Sequence, residues 1–173
     1  MASKPFYIGT HSPKMGILGK LLAIVSILVL AGVVVTILKT PEELSITNFH
    51  YCSSIYGWRN YDEHSRTYTN GEQIFMYFEV KGFKKNNDEA QIYQTLTILQ
   101  PDGSPLTLNG IKLQDYPMVN QSINASGKSV LWFDNHLTII DETWEKGEYD
   151  VIIKVEDRLA NTNTTYSTNF VIA

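Results

Sequence analysis

The sequence predicts an all-β domain, an antiparallel two-sheet sandwich of about seven strands, preceded by one transmembrane α-helix. Three observations predict it. Residues 21–38 read LLAIVSILVLAGVVVTIL, eighteen positions without a charge. Beyond Pro41 the apolar residues recur with a period of two. Turn signals, Asn70-Gly71, Pro101-Asp102-Gly103-Ser104, Asn109-Gly110 and Lys146-Gly147, separate the alternating runs. The chain of 173 residues thus divides into a short cytoplasmic tail (1–14), a membrane helix (15–39) and an extracytoplasmic sandwich (40–173).

The membrane element comes first. Eighteen helical residues rise about 27 Å at about 1.5 Å each, close to the hydrocarbon thickness of a bilayer, and Met15 to Gly19 lengthen the run if Lys20 snorkels. Lys4, Lys14 and Lys20 flank it on the amino side without an acid, whereas Lys39 is followed by Glu42 and Glu43. The positive-inside bias therefore leaves the amino terminus in the cytoplasm and carries the large domain across. Val29-Leu30-Ala31 is the competing signal-peptide cleavage site, but cutting there would expose Gly-Val-Val-Val-Thr-Ile-Leu as a new start. Gly19 and Ala23, four apart, let two helices approach closely, so the expected partners are the lipid bilayer and, through this helix, a second copy.

The strands follow. Ile74, Met76, Phe78 and Val80 alternate with Phe75, Tyr77 and Glu79; Tyr149, Val151, Ile153 and Val155 alternate with Asp150, Ile152, Lys154 and Glu156; Tyr166, Thr168, Phe170 and Ile172 share one side. Further strands are expected at 44–51, 91–99, 106–113 and 128–133. No segment beyond the membrane shows a long helical period, which disfavours βαβ units and the nucleotide-binding folds made from them. Cys52 is the single cysteine, so neither an intramolecular disulfide nor a multi-cysteine metal site is available. A domain of roughly 130 residues buries enough surface to need no such staple.

Residues 137–173, LTIIDETWEKGEYDVIIKVEDRLANTNTTYSTNFVIA, resemble the last three strands of an immunoglobulin-like domain. Gly147-x-Tyr149 stands where that family sets its corner tyrosine, and Asp157 opens the final hairpin. The resemblance implies the architecture, without the family's disulfide. The front, FHYCSSIYGWRNY leading into NGEQIFMYFEVKGF, is similar to secreted or anchored microbial envelope proteins and implies an envelope location. One amino-terminal helix plus a small sandwich also resembles the layout of stator-type subunits of archaeal surface filaments.

Composition excludes several functions. With 18 acidic against 14 basic residues, and the basic ones scattered beyond residue 40, nucleic acid is not an expected partner. No Gly-x-Ser-x-Gly turn offers a nucleophile, and the acids Asp134, Asp141, Glu142 and Glu145 read as a solvated approach to a strand, so no catalytic residue is expected. His50 and Cys52, two apart on one strand face, with His64 and His136 from elsewhere, are the alternative metal set of a copper-handling protein. Asn120, Asn124 and Asn163 open Asn-x-Ser/Thr sequons, expected in loops. No cofactor is expected.

The stretch 52–72 is the most informative surface. It reads as a long connection, yet it holds Tyr56, Trp58, Arg59, Tyr61 and Tyr68, the residue types that dominate binding hot spots. Some of these aromatics are expected to pin the connection while Trp58 and Arg59 stay outside the core and meet a partner. The expectation is a non-enzymatic, membrane-anchored envelope protein whose outer domain contacts another envelope or membrane protein. The alternative is a carbohydrate-binding module with Tyr56, Trp58 and Tyr61 as its stacking platform.

Overall fold

The computed structural model describes residues 42–69, 71–139 and 144–173. The expected cytoplasmic tail and membrane helix lie outside them. Seven strands of nine residues or more make the frame: β1 (Ser45–Gly57), β4 (Gln73–Lys81), β5 (Glu89–Leu99), β8 (Tyr116–Asn124), β9 (Val130–Thr138), β10 (Gly147–Asp157) and β11 (Thr162–Ile172). Four short ones complete it: β2 (Asn60–Glu63), β3 (Thr67–Tyr68), β6 (Thr107–Leu108) and β7 (Ile111–Lys112). One sheet has the order β2-β1-β4-β9, the other β3-β11-β10-β5-β8, and β6-β7 is a separate ribbon. All pairs are antiparallel except β3 with β11.

The two sheets share one core, and the period-two pattern assigns its faces as expected. Ile74, Met76, Phe78 and Val80 of β4 and Tyr149, Val151, Ile153 and Val155 of β10 have no exposed surface. Leu131, Phe133 and Leu137 of β9 and Ile92, Leu96 and Ile98 of β5 close the same core from either sheet. At one end Trp144, Tyr149 and Phe170 form an aromatic layer, the last two rings stacked 5.2 Å apart. Tyr149 OH donates to the Glu145 carbonyl at 2.9 Å, tying the strand to the chain four residues upstream. Asp157, buried, accepts from the Leu159 and Ala160 amides through Oδ1 and from the Lys84 amide through Oδ2, so it closes the β10–β11 hairpin and holds the β4–β5 connection against it. The entering backbone at Glu42 and Glu43 lies against Gly82, where a side chain would overlap it and φ is +73°. Only glycine satisfies both conditions.

Three expectations are corrected. The connection 52–72 is largely strand: β1 runs on to Gly57 and returns through a two-residue turn, Trp58-Arg59, as β2. Two register shifts in that hairpin, between Cys52 and Ser54 and between Ile55 and Gly57, break the alternation by which the strand would be read. The strand expected at 106–113 is instead the β6–β7 ribbon, turned at Asn109 (φ 50°) and Gly110 (φ 79°), the two left-handed residues a tight hairpin demands. Finally, β8 occupies a stretch expected to be loop, so Asn120 and Asn124 lie on a strand, and Asn163 lies at the start of β11. Pro117 and a register shift opposite Gln94 and Thr95 conceal β8 in the sequence, and its position at the sheet edge is where both are tolerated.

Candidate functional site: a latched hairpin on the outer face

The residues singled out at 56–61 converge on the outward side of the four-stranded sheet. On β4 that side carries Phe75, Tyr77 and Glu79, with His50 of β1 opposite Tyr77 and Trp132 of β9 opposite Glu79. An outward side is ordinarily wet, yet Cys52, Tyr77 and Glu79 have no exposed surface. The cover is the β1–β2 hairpin itself. Beyond Cys52 it no longer pairs with β4 but folds back over it: Tyr61 packs against His50 and Tyr77, with ring centroids 4.8 and 4.7 Å away. Arg59, at the tip, reaches Glu79.

Glu79 is the latch. Arg59 clamps it through two donors, Nε to Oε1 at 2.7 Å and Nη2 to Oε2 at 3.0 Å. Trp58 Nε1 and Tyr77 OH each donate to Oε1 at 3.1 Å, and Asn48 Nδ2 does so at 3.3 Å. The Arg59 amide in turn donates to Tyr77 OH at 3.2 Å. A covered carboxylate demands such a set of donors, because unpaired it would lose its hydration without return. Arg59 and the other donors hold the Glu79 carboxyl down at about 2 against the opposing effect of burial. Burial pushes the Tyr77 hydroxyl up to about 12 and the Cys52 thiol up to about 11. Arg59 adopts a left-handed φ of 53°, an uncommon conformation for a residue with a side chain, and the ion pair holds it there.

The latch leaves a defined exposed surface. Trp58 is 58% exposed with its indole nitrogen fixed on Glu79, and the Arg59 guanidinium lies 5.3 Å from the Trp58 ring. Trp132, 40% exposed, stacks on Tyr77 from the neighbouring strand at 6.1 Å. Tyr56, 65% exposed, donates to Asp62 at 2.9 Å on the side of the hairpin turned away from Tyr61. Trp58 and Arg59 lie outside the core as expected, Tyr56 is exposed with them rather than pinning the connection, and Tyr61 is a half-buried packing residue beneath the hairpin. Tyr68 is corrected outright: it is fully buried, edge-on to Tyr51 and Phe170, with His64 stacked on it at 4.6 Å. A bulky aromatic on β3 fills the gap where the chain crosses to the other sheet, so it cannot meet a partner.

Two members of this site escaped the sequence reading. Trp132 could have been found, since Leu131 and Phe133 face inward and leave the tryptophan between them facing out. Glu79 gave a weaker signal, a carboxylate on a side whose other members are aromatic. The alternative metal residues do not assemble. His50 is bound to Asn48 at 3.1 Å and Glu63 at 3.0 Å, the Cys52 thiol to the His50 carbonyl at 3.7 Å, His64 to Ser65 and Tyr68, and His136 lies beside Phe75. Among the described residues no three metal-ligating side chains form a group.

No protein-family model and no curated protein sequence matches the chain. Among solved structures it is similar to the C-terminal domain of wzt, at 13% identity over 75% of this chain and 73% of that one, with a TM-score of 0.47. The Pseudomonas fluorescens alkylpurine DNA glycosylase AlkC gives 13% identity over 75% of this chain, which spans 30% of the glycosylase, and a TM-score of 0.46. The Bacillus subtilis sporulation control protein Spo0M gives 11% identity, 75% and 49% coverage and a TM-score of 0.41. At such scores these likenesses carry no argument about activity.

Proposed function

We propose that the chain is a non-enzymatic, membrane-anchored envelope protein whose immunoglobulin-like outer domain binds another envelope or membrane protein through the Tyr56, Trp58, Arg59 and Trp132 surface. The observation that carries the reading is the preorganisation of that surface. Exposed tryptophans normally cost entropy when a partner orders them; here Trp58 and Arg59 are already fixed by Glu79, and Trp132 by Tyr77. Large, rigid aromatic and guanidinium area at low entropic cost is what interface hot spots supply.

The immunoglobulin-like assignment is supported by connectivity. Numbering the seven long strands in order, the first, second and fifth form one sheet and the seventh, sixth, third and fourth the other. The Tyr149 hydroxyl bond to the Glu145 carbonyl has the geometry of that family's tyrosine corner. Anchoring and outward orientation are supported by the uncharged run 21–38 and the lysines before it.

Crosslinking in native membranes from a photoreactive residue at position 132 tests the proposal. It should capture one protein partner, and Trp58→Ala should weaken that association by about 2 kcal/mol. Absence of any capture, together with loss of glycan-array binding in Trp58→Ala, would favour the carbohydrate reading. Two exposed indoles beside a polar cluster are the observation behind that second reading.

A further inference from the structure

We propose that Asn120, Asn124 and Asn163 are N-glycosylated, and that the outer face of the five-stranded sheet is the glycan-covered face of the domain. They are the only asparagines in the sequence followed two positions on by Ser or Thr, at Ser122, Ser126 and Thr165. Sequence separation scatters them over two strands, but register gathers them. Asn120 pairs with Tyr93, Asn124 with Glu89, and Asn163 with Glu156. These three partners alternate with the buried Ala90, Ile92 and Val155, so all three asparagines point away from the core on the same side. Each is exposed. The outer face of the other sheet, with Trp58 and Trp132, carries no sequon.

The side-chain chemistry fits acceptance. Asn120 uses Oδ1 to accept from Arg158 at 2.8 Å, and Asn124 uses Oδ1 to accept from the Ser126 amide at 3.0 Å. In both, Nδ2 makes no hydrogen bond among the described residues, and Nδ2 is the atom a glycosyl transfer modifies. In that transfer the Nδ2–C1 bond forms and the bond from C1 to the phosphate oxygen of a lipid-phosphate-linked sugar donor breaks. The lipid phosphate leaves with the electron pair, and one amide proton passes to a base on the transferase. The sites also suit a bulky adduct: among the described residues β8 is the edge strand of its sheet, with no neighbour beyond it, and Asn163 lies by the β10–β11 turn. Beside Asn120 the Arg158 guanidinium lies 4.6 Å from the Tyr93 ring, a flat shelf for a first sugar.

This inference rests on the extracytoplasmic placement above, and the test separates the two. Protein purified from its own cells is digested with trypsin, which releases 113–128, holding Asn120 and Asn124, and 159–173, holding Asn163. Both peptides should carry added sugar mass that fragmentation locates on these asparagines, and Asn120→Gln, Asn124→Gln and Asn163→Gln should each remove one step of electrophoretic retardation. Peptides at their unmodified masses, or sugar confined to one of the two, would overturn the glycan-covered face. External protease on intact cells reports placement independently: a domain that is digested yet unmodified sinks this inference alone, while one that is protected sinks the placement.

Discussion

Glu79 lies on the outward side of β4 without exposed surface, and its charge survives there because five donors surround it. The pairing makes stability depend on pH in a definite direction. Its folded pKa, about 2, is below the ordinary 4.5, so the stabilisation is full above about pH 4.5 and is lost as pH falls toward about 2. Because Arg59 is open to water on its far side, solvent screening reduces the effect. The urea midpoint of the isolated domain should therefore fall across that window, and Glu79→Gln should flatten this part of the profile. Identical profiles for parent and variant would mean the carboxylate is not the group that titrates. Trp132 behaves differently from Trp58: Trp132→Ala removes a ring stacked on Tyr77 without leaving a polar atom unpaired, so its cost in stability should stay within about 1 kcal/mol in thermal or urea unfolding.

Beyond Cys52 the β1–β2 hairpin is held over β4 by a latch rather than by a ladder. Cys52 beneath it reports its opening. The thiol is fully buried and its pKa is raised by burial to about 11, so at neutral pH it is protonated and should resist alkylating reagents in the native domain. Arg59→Ala breaks the clamp on Glu79 and should raise the labelling rate by more than the lost global stability accounts for. An unchanged rate would show that Tyr61 stacking alone holds the hairpin down. The core strands answer to a different test. Phe78→Ala on β4 and Ile153→Ala on β10 each empty a fully buried position and should cost about 2 to 5 kcal/mol by urea unfolding. A cost near zero at both would mean that their faces are inverted.

At the scale of the whole molecule, residues 42–173 contain a complete core spanning both sheets, and the lone cysteine makes no disulfide. Expressed alone, this segment should fold cooperatively, give a sheet-rich circular dichroism spectrum and keep the same midpoint with and without reductant. In the full chain the run 21–38 should hold the protein in membranes through an alkaline carbonate wash. Recovery of a mature amino terminus near Gly32 would identify that run as a cleaved signal instead.

What the sequence by itself determined is whatever depends on neighbours along the chain. Strict alternation, as in β4 and β10, needs only the pleat to assign one face to the core. Asn109-Gly110 likewise announces its turn through local backbone freedom. The tertiary structure alone decided what depends on pairing. It turned the aromatic stretch after Cys52 into a hairpin folded back on its own sheet, gave Glu79 a buried seat, moved Tyr68 inside and brought Trp132 beside Trp58. Irregular register concealed β8 and the β1–β2 hairpin for the same reason: a shifted strand loses the period-two signal, and what lies across from it is decided only when the sheets close around a common core.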